Sequence, residues 1–126
     1  MSEKDDLDAK IRGLKEEKQR VFRKLKYPEI FGTIQEEKIR CGKVNCKCSR
    51  GELHGPYYYL YIVHERELEK KYLCSVKKVS ANYLEAKKGI QNAKHNKTIR
   101  YELAQINKQI LDLERQKLEL EDYLMS

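Results

Sequence analysis

The sequence has no long hydrophobic run. Its longest, residues 57–63, falls far short of the roughly 20 apolar residues that a membrane-spanning helix needs, which excludes that kind of membrane role. Residues 3–8 are mostly acidic and lack the basic and apolar stretches of a secretory signal, so the sequence predicts a soluble protein of the cytoplasm. Internal repeats and low-complexity segments are also missing. A chain of 126 residues has room for a single domain, 1–126, with a modest core.

Acidic residues are absent from two segments. Residues 38–50 carry Lys38, Arg40, Lys43, Lys47 and Arg50 with no carboxylate, and residues 86–101 carry Lys87, Lys88, Lys94, Lys97 and Arg100, again with none. The net charge of +7, from 27 basic and 20 acidic residues, is therefore locally concentrated and favours a polyanionic partner over simple solvation. Charged residues make up 37% and hydrophobic ones 40%, interleaved at regular spacings, which argues for an ordered chain.

Leu7, Ile11, Leu14, Val21 and Leu25 follow a four-three repeat with Lys18 filling the missing step. The spacing predicts a helix over 3–26, capped by Ser2 with Asp5 and stopped by Pro28, in an N-terminal segment 1–27. In the C-terminal segment 80–126, the same repeat runs through Ile99, Leu103, Ile106, Ile110, Leu113, Lys117, Leu120 and Leu124 as a coiled-coil seam. One antiparallel register of the two helices pairs Leu14 with Lys117 and Ile11 with Leu120, closing a hairpin within one chain; the seam could instead join two chains as a homodimer. Ser80 is a candidate cap for the stretch before this seam. There Gly89, Asn92 and Asn96 lower helix propensity and leave either one soft helix or a kink, while Ala86, Gly89 and Ala93 would allow close approach to a sheet.

The middle segment, 28–79, reads as β. Residues 33–40, 57–63 and 70–76 predict three short antiparallel strands, the last two joined by a turn near 64–68. Alternation places Tyr57, Tyr59 and Tyr61 on one face of the second strand and Tyr58, Leu60 and Ile62 on the other; it also puts Tyr72, Cys74 and Val76 together on the third. The expected fold is α+β: a small three-stranded antiparallel sheet with a zinc knuckle, flanked by an N-terminal helix and a long C-terminal helix packed as an antiparallel coiled-coil hairpin.

Cys41, Cys46 and Cys48 lie in a polar loop with His54 close behind, a donor set that suits a tetrahedral Zn2+. Gly42 is a candidate for a tight turn after the first thiolate and Asn45 for a left-handed position before the second. His54 is favoured as fourth ligand over Cys74, which sits in an apolar strand; His64 and His95 are expected to face solvent. The string Cys41-Gly42-Lys43-x-Asn45-Cys46-x-Cys48, then His54-Gly55-Pro56-Tyr57-x-Tyr59-Leu60, resembles a family of small archaeal and bacterial proteins catalogued as a domain of unknown function. The resemblance covers the central third and implies a zinc-binding module with Cys41, Cys46, Cys48 and His54 as ligands, and it assigns no activity. Where that family commonly has a glycine-basic turn, this chain has Glu65-Arg66-Glu67-Leu68.

Catalysis is not expected. A catalytic zinc keeps an open coordination position and a nearby base, whereas these donors close the shell and Glu52 is the only acid in the loop. The leading expectation is a nucleic-acid-binding protein, DNA before RNA, of limited sequence specificity. Lys38, Arg40, Lys43, Lys47 and Arg50, with Lys87, Lys88, Lys94 and Lys97, would contact phosphates, and Tyr57 and Tyr59 would stack on bases. The alternatives are a protein-interaction module acting through its helices and an RNA- or ribosome-associated factor.

Overall fold

A computed structural model of the chain describes residues 2–125. The elements run α1 (Glu3–Phe22), β1 (Gly32–Ile39), a 3-10 turn (Lys47–Arg50), β2 (His54–His64), β3 (Glu67–Ser75) and α2 (Ala81–Met125), which is the expected α+β arrangement. No helix among the described residues is long and apolar enough to cross a membrane. The chain divides into two compact units: Tyr27–Ala93, and the flanking segments up to Lys26 and from Lys94. The division falls inside α2, whereas the segments expected from sequence end at 27 and 79.

In the first unit, β2 is central and pairs antiparallel with β1 and β3. Glu65 and Arg66 alone connect β2 to β3, at φ of 45° and 82°. Positive φ at both central residues is the requirement of a type I′ hairpin turn, which Asn-Gly meets without strain. Replacing Glu65-Arg66 by Asn-Gly should raise stability by about 0.5–1 kcal/mol, read from the denaturant midpoint.

Leu60, Leu73, Cys74 and Ala86 form the buried core of this unit, with Ile30, Ile34, Tyr58, Ile62, Tyr83 and Ile90 packed against them. Tyr58 stacks on Tyr83 with ring centroids 4.4 Å apart. Tyr58, Leu60 and Ile62 thus face the core as their alternation requires. Tyr72 and Cys74 do not share a face, because a register shift between Tyr58 and Tyr59 pairs Cys74 with Tyr58 but Tyr72 with Tyr59. An extra residue in one strand reverses every side chain beyond it.

The expected soft stretch of α2 is regular helix throughout. Gly89 is a contact point: its carbonyl accepts from the Ile30 N–H at 3.0 Å, and a Cβ there would lie 2.7 Å from the Ile30 side chain. Buried Asn92 donates from Nδ2 to the Pro28 carbonyl at 2.9 Å. Ser80 does not cap the helix by its side chain; its hydroxyl donates to the Leu73 carbonyl at 3.3 Å.

The second unit is an antiparallel helical hairpin. Ile11, Val21, Ile99, Ile106 and Ile110 are its buried core, flanked by Leu14, Leu25, Leu103 and Leu113. The Ser2 hydroxyl accepts from the Asp5 N–H at 3.2 Å, so the N-terminal cap forms as expected. α1 ends at Phe22 rather than 26: the Lys24 and Leu25 N–H groups tighten onto the Val21 and Phe22 carbonyls, and side chains of α2 hold the backbone beyond, at Lys24 and Lys26. Asn96 accepts from the Lys26 N–H at 2.8 Å and donates to the Lys26 carbonyl at 2.6 Å, while His95 Nε2 donates to the Lys24 carbonyl at 2.9 Å. His95 and His64 are both exposed, as expected, and each also has a partner, His64 lying 3.2 Å from Glu69.

Among the described residues, ion pairs cross the hairpin at Lys4–Glu121 (3.4 Å), Asp8–Lys117 (2.7 Å) and Lys15–Glu114 (3.6 Å). These pairs join residues that the expected register does not set directly opposite, as long exposed side chains can. Lys117 is answered by a carboxylate instead of lying over a leucine. Its hydrogen bond holds the Asp8 carboxyl below the ordinary 3.8. A depressed folded pKa contributes stability above the unfolded-state value, and this is lost as pH falls through the folded one. The melting temperature of Asp8→Asn should lie below that of the native chain at pH 7, and the gap should close by about pH 2.

Candidate metal centre

The knuckle joins the end of β1 to the start of β2. Cys41 lies two residues past the end of β1, Cys46 precedes the 3-10 turn, Cys48 lies within it, and His54 is the first residue of β2, paired with Ile39. His54 is therefore anchored in the sheet and not carried on a pliable loop. The backbone at Lys43 accepts from the Cys46 N–H at 3.3 Å, and the Cys46 carbonyl accepts from the Ser49 N–H at 3.1 Å. These short-range bonds fold the loop back on itself so that its thiols converge.

The convergence is close. Cys41, Cys46, Cys48 and His54 each offer one donor atom, and all four atoms lie within 4.8 Å of one another, a set that can hold a metal ion. Cys41 Sγ is 3.3 Å from Cys48 Sγ, and Cys46 Sγ is 2.9 Å from His54 Nε2. Cys48 is completely buried and its sulfur accepts from the Cys41 N–H at 3.2 Å. A backbone hydrogen bond at Lys43, seconded by the Cys48 and Cys46 thiols, lowers the pKa of Cys41, whereas burial pushes that of Cys48 up. Cys74 takes no part: it is buried in the sheet core beside Leu60 and Leu73.

The left-handed residues of the knuckle region are not those expected. Gly51, at φ 102°, closes the 3-10 turn, and Gly55, at φ 113°, follows His54; neither Gly42 nor Asn45 has positive φ. A Cβ at Gly55 would lie 3.0 Å from the Glu37 carbonyl oxygen, so a side chain is excluded there by both space and conformation.

Lys38, Arg40, Lys43, Lys47 and Arg50 are all exposed along the end of β1 and the knuckle. Among the described residues none of them pairs with a carboxylate, in contrast to Lys4, Lys15, Lys70, Lys71, Arg115 and Lys117. Lys87, Lys88, Lys94 and Lys97 are exposed on α2, two in each unit. Tyr57 is half-buried, but Tyr59 is only 9% exposed.

The face of the sheet opposite the core carries two residues that alternation alone did not place there. Tyr72 meets Tyr57 and Tyr59 edge-on, at centroid distances of 5.7 and 5.8 Å. Lys70 Nζ lies 4.3 Å above the Tyr59 ring and 3.5 Å from Glu37, which also accepts a hydrogen bond from the Tyr61 hydroxyl. The β-bulge is what brings Tyr72 to this side, and no signal in the sequence marks it.

Searches of curated proteins and of solved structures gave no match. A family model does match, over residues 4–80, a span wider than the central third that carries the cysteine-histidine string. Because that span is more than half of the chain and takes in α1, the knuckle and the whole sheet, the protein belongs to the family described as Domain of unknown function (DUF6788).

Proposed function

We propose that this protein binds nucleic acid, DNA in the first place, through a zinc-stabilised basic knuckle, and that it is not an enzyme. The observation that carries the reading is the set of exposed, carboxylate-free cations on the knuckle, Lys38, Arg40, Lys43, Lys47 and Arg50. Lys4, Lys15, Lys70, Lys71, Arg115 and Lys117 are each answered by a carboxylate, whereas these five, clustered on one loop, are available to phosphates.

Three thiolates and an imidazole suit Zn2+, which has no redox chemistry and accepts tetrahedral sulfur-nitrogen shells. Bound there, the ion would tie the basic loop to β1 and β2 and reduce the freedom lost when it grips a phosphate backbone. Four protein donors leave no position for a reacting water, and Glu52, the acid in the loop, is exposed. Reduced thiolate ligands suit the cytoplasm.

The test is a fluorescence-anisotropy titration of labelled duplex DNA, single-stranded DNA and RNA from about 50 mM salt upward. Affinity should fall linearly on a log–log plot, by close to one unit of slope for each phosphate neutralised. Converting Arg40, Lys43, Lys47 and Arg50 to glutamate should abolish binding; absence of binding by the native chain at about 50 mM salt to all three ligands would overturn the reading.

A second reading, a protein-interaction module, draws on Leu111 and Leu118. They are spaced seven apart on α2 and each is 66% exposed, a stripe outside the hairpin core that another helix, including that of a second copy, could cover.

A further inference from the structure

We infer that the open face of the sheet is a base-stacking platform for single-stranded nucleic acid, with Tyr72 as its stacking residue; the inference rests on the nucleic-acid reading above. Tyr59, the obvious candidate on β2, is sealed: it is 9% exposed, with Tyr72 against its ring and the Lys70 ammonium above it. Tyr72 is 58% exposed. It stands over a layer made by Tyr57 and Tyr59, whose two edge-on contacts hold its ring in place. An aromatic ring both exposed and immobilised loses little freedom when a base lies on it.

The surroundings favour an anionic strand over a neutral stacking ligand such as a sugar. Glu37, the carboxylate on this face, is answered by Lys70 and by the Tyr61 hydroxyl, so it presents little repulsion. Tyr57 lies three residues beyond His54 on β2, which at about 3.3 Å per residue puts the metal centre and its cations roughly 10 Å along the strand, within reach of the next one or two phosphates. A duplex keeps its base faces stacked on each other and offers a flat sheet only edges and backbone. A single strand can lay a base on Tyr72 while its backbone follows the cations.

The experiment compares a labelled twelve-nucleotide oligothymidylate with a twelve-base-pair duplex, titrated with the full-length, zinc-loaded protein at fixed salt. The native chain should bind the single strand more tightly. Tyr72→Ala should weaken single-strand binding by about tenfold and leave duplex affinity and the salt slope unchanged, while Tyr72→Phe, which keeps the ring, should bind as the native chain does. Unaltered melting curves for both variants tie the loss to the ring and not to the fold. Equal or tighter duplex binding, or an unchanged single-strand affinity in Tyr72→Ala, would overturn the platform and leave the basic-knuckle reading standing. Failure of both ligands to bind the native chain would overturn both.

Discussion

Replacing Cys48 by serine should cost the protein its bound metal and open the loop of residues 41–54, seen as loss of one zinc per chain by native mass spectrometry and faster amide exchange confined to that loop. The expected effect is large because the loop has little else to hold it. Its backbone bonds span short distances, its other thiols are only half-buried, and Cys48 is its one fully buried side chain. Structural zinc sites of this donor type supply apparent free energies on the order of 10 kcal/mol at neutral pH, far more than one short 3-10 turn can. Chelation of the native protein should reproduce the result. Acidification should do so too, since protons compete with the metal for the sulfur ligands. Exchange in α1 should stay at its native rate, because its packing partners are in the helical hairpin. A metal-free protein whose residues 41–54 exchange as slowly as in the zinc-loaded form would sink the structural role of the metal.

Asn96→Ala should destabilise the helical hairpin by about 3 kcal/mol, measured as a shift in denaturant midpoint with unchanged slope. Asn96 is 0% exposed, and its amide completes both backbone groups of Lys26, accepting from N–H at 2.8 Å and donating to the carbonyl at 2.6 Å. Truncation leaves both part-buried groups of Lys26 without these partners and empties the buried space the amide filled, and each such group costs toward the lower end of roughly 1–3 kcal/mol. Asn96→Asp keeps the acceptor but loses the donor and adds a charge, so it should not rescue stability. Asn92→Ala, which removes a single bond to the Pro28 carbonyl, should cost about half as much. Equal stability of Asn96→Ala and the native chain would show that the amide contributes nothing net.

These asparagines also mark where the sequence could be read and where it misled. Periodicity identified the hairpin core at Ile11, Val21, Ile99, Ile106 and Ile110, because an apolar stripe at helical spacing has few other ways to be buried. Alternation sorted Tyr58, Leu60 and Ile62 onto the core face. The cysteine spacing and His54 gave the converging donor set, since loop length already limits how far apart those side chains can be. Helix propensity, by contrast, made Gly89, Asn92 and Asn96 look like weak points of α2. They are the residues whose small size or side-chain amide lets α2 hold the chain at residues 26–30, and a local scale cannot see a partner some 60 to 70 positions away. Tyr72 was misplaced for a related reason: a bulge is a property of two paired strands, and only the pairing reveals it. Which carboxylates Lys4, Lys15 and Lys117 find is likewise a choice that the apolar repeat leaves open.

The order of strands in the sheet has a consequence for aggregation. β2, the segment of highest β propensity, contains no aspartate, glutamate, lysine or arginine, whereas β1 carries Glu36, Glu37 and Lys38, and β3 carries Glu67, Glu69, Lys70 and Lys71. A three-stranded sheet exposes two unpaired edges, each a template on which another chain could add a strand. Here both edges belong to the charged strands, and the uncharged tyrosine-rich one is enclosed between them. Loss of β3, by proteolysis or truncation, would turn β2 into an open edge rich in aromatic and β-branched residues, with the sequence character of a cross-β seed.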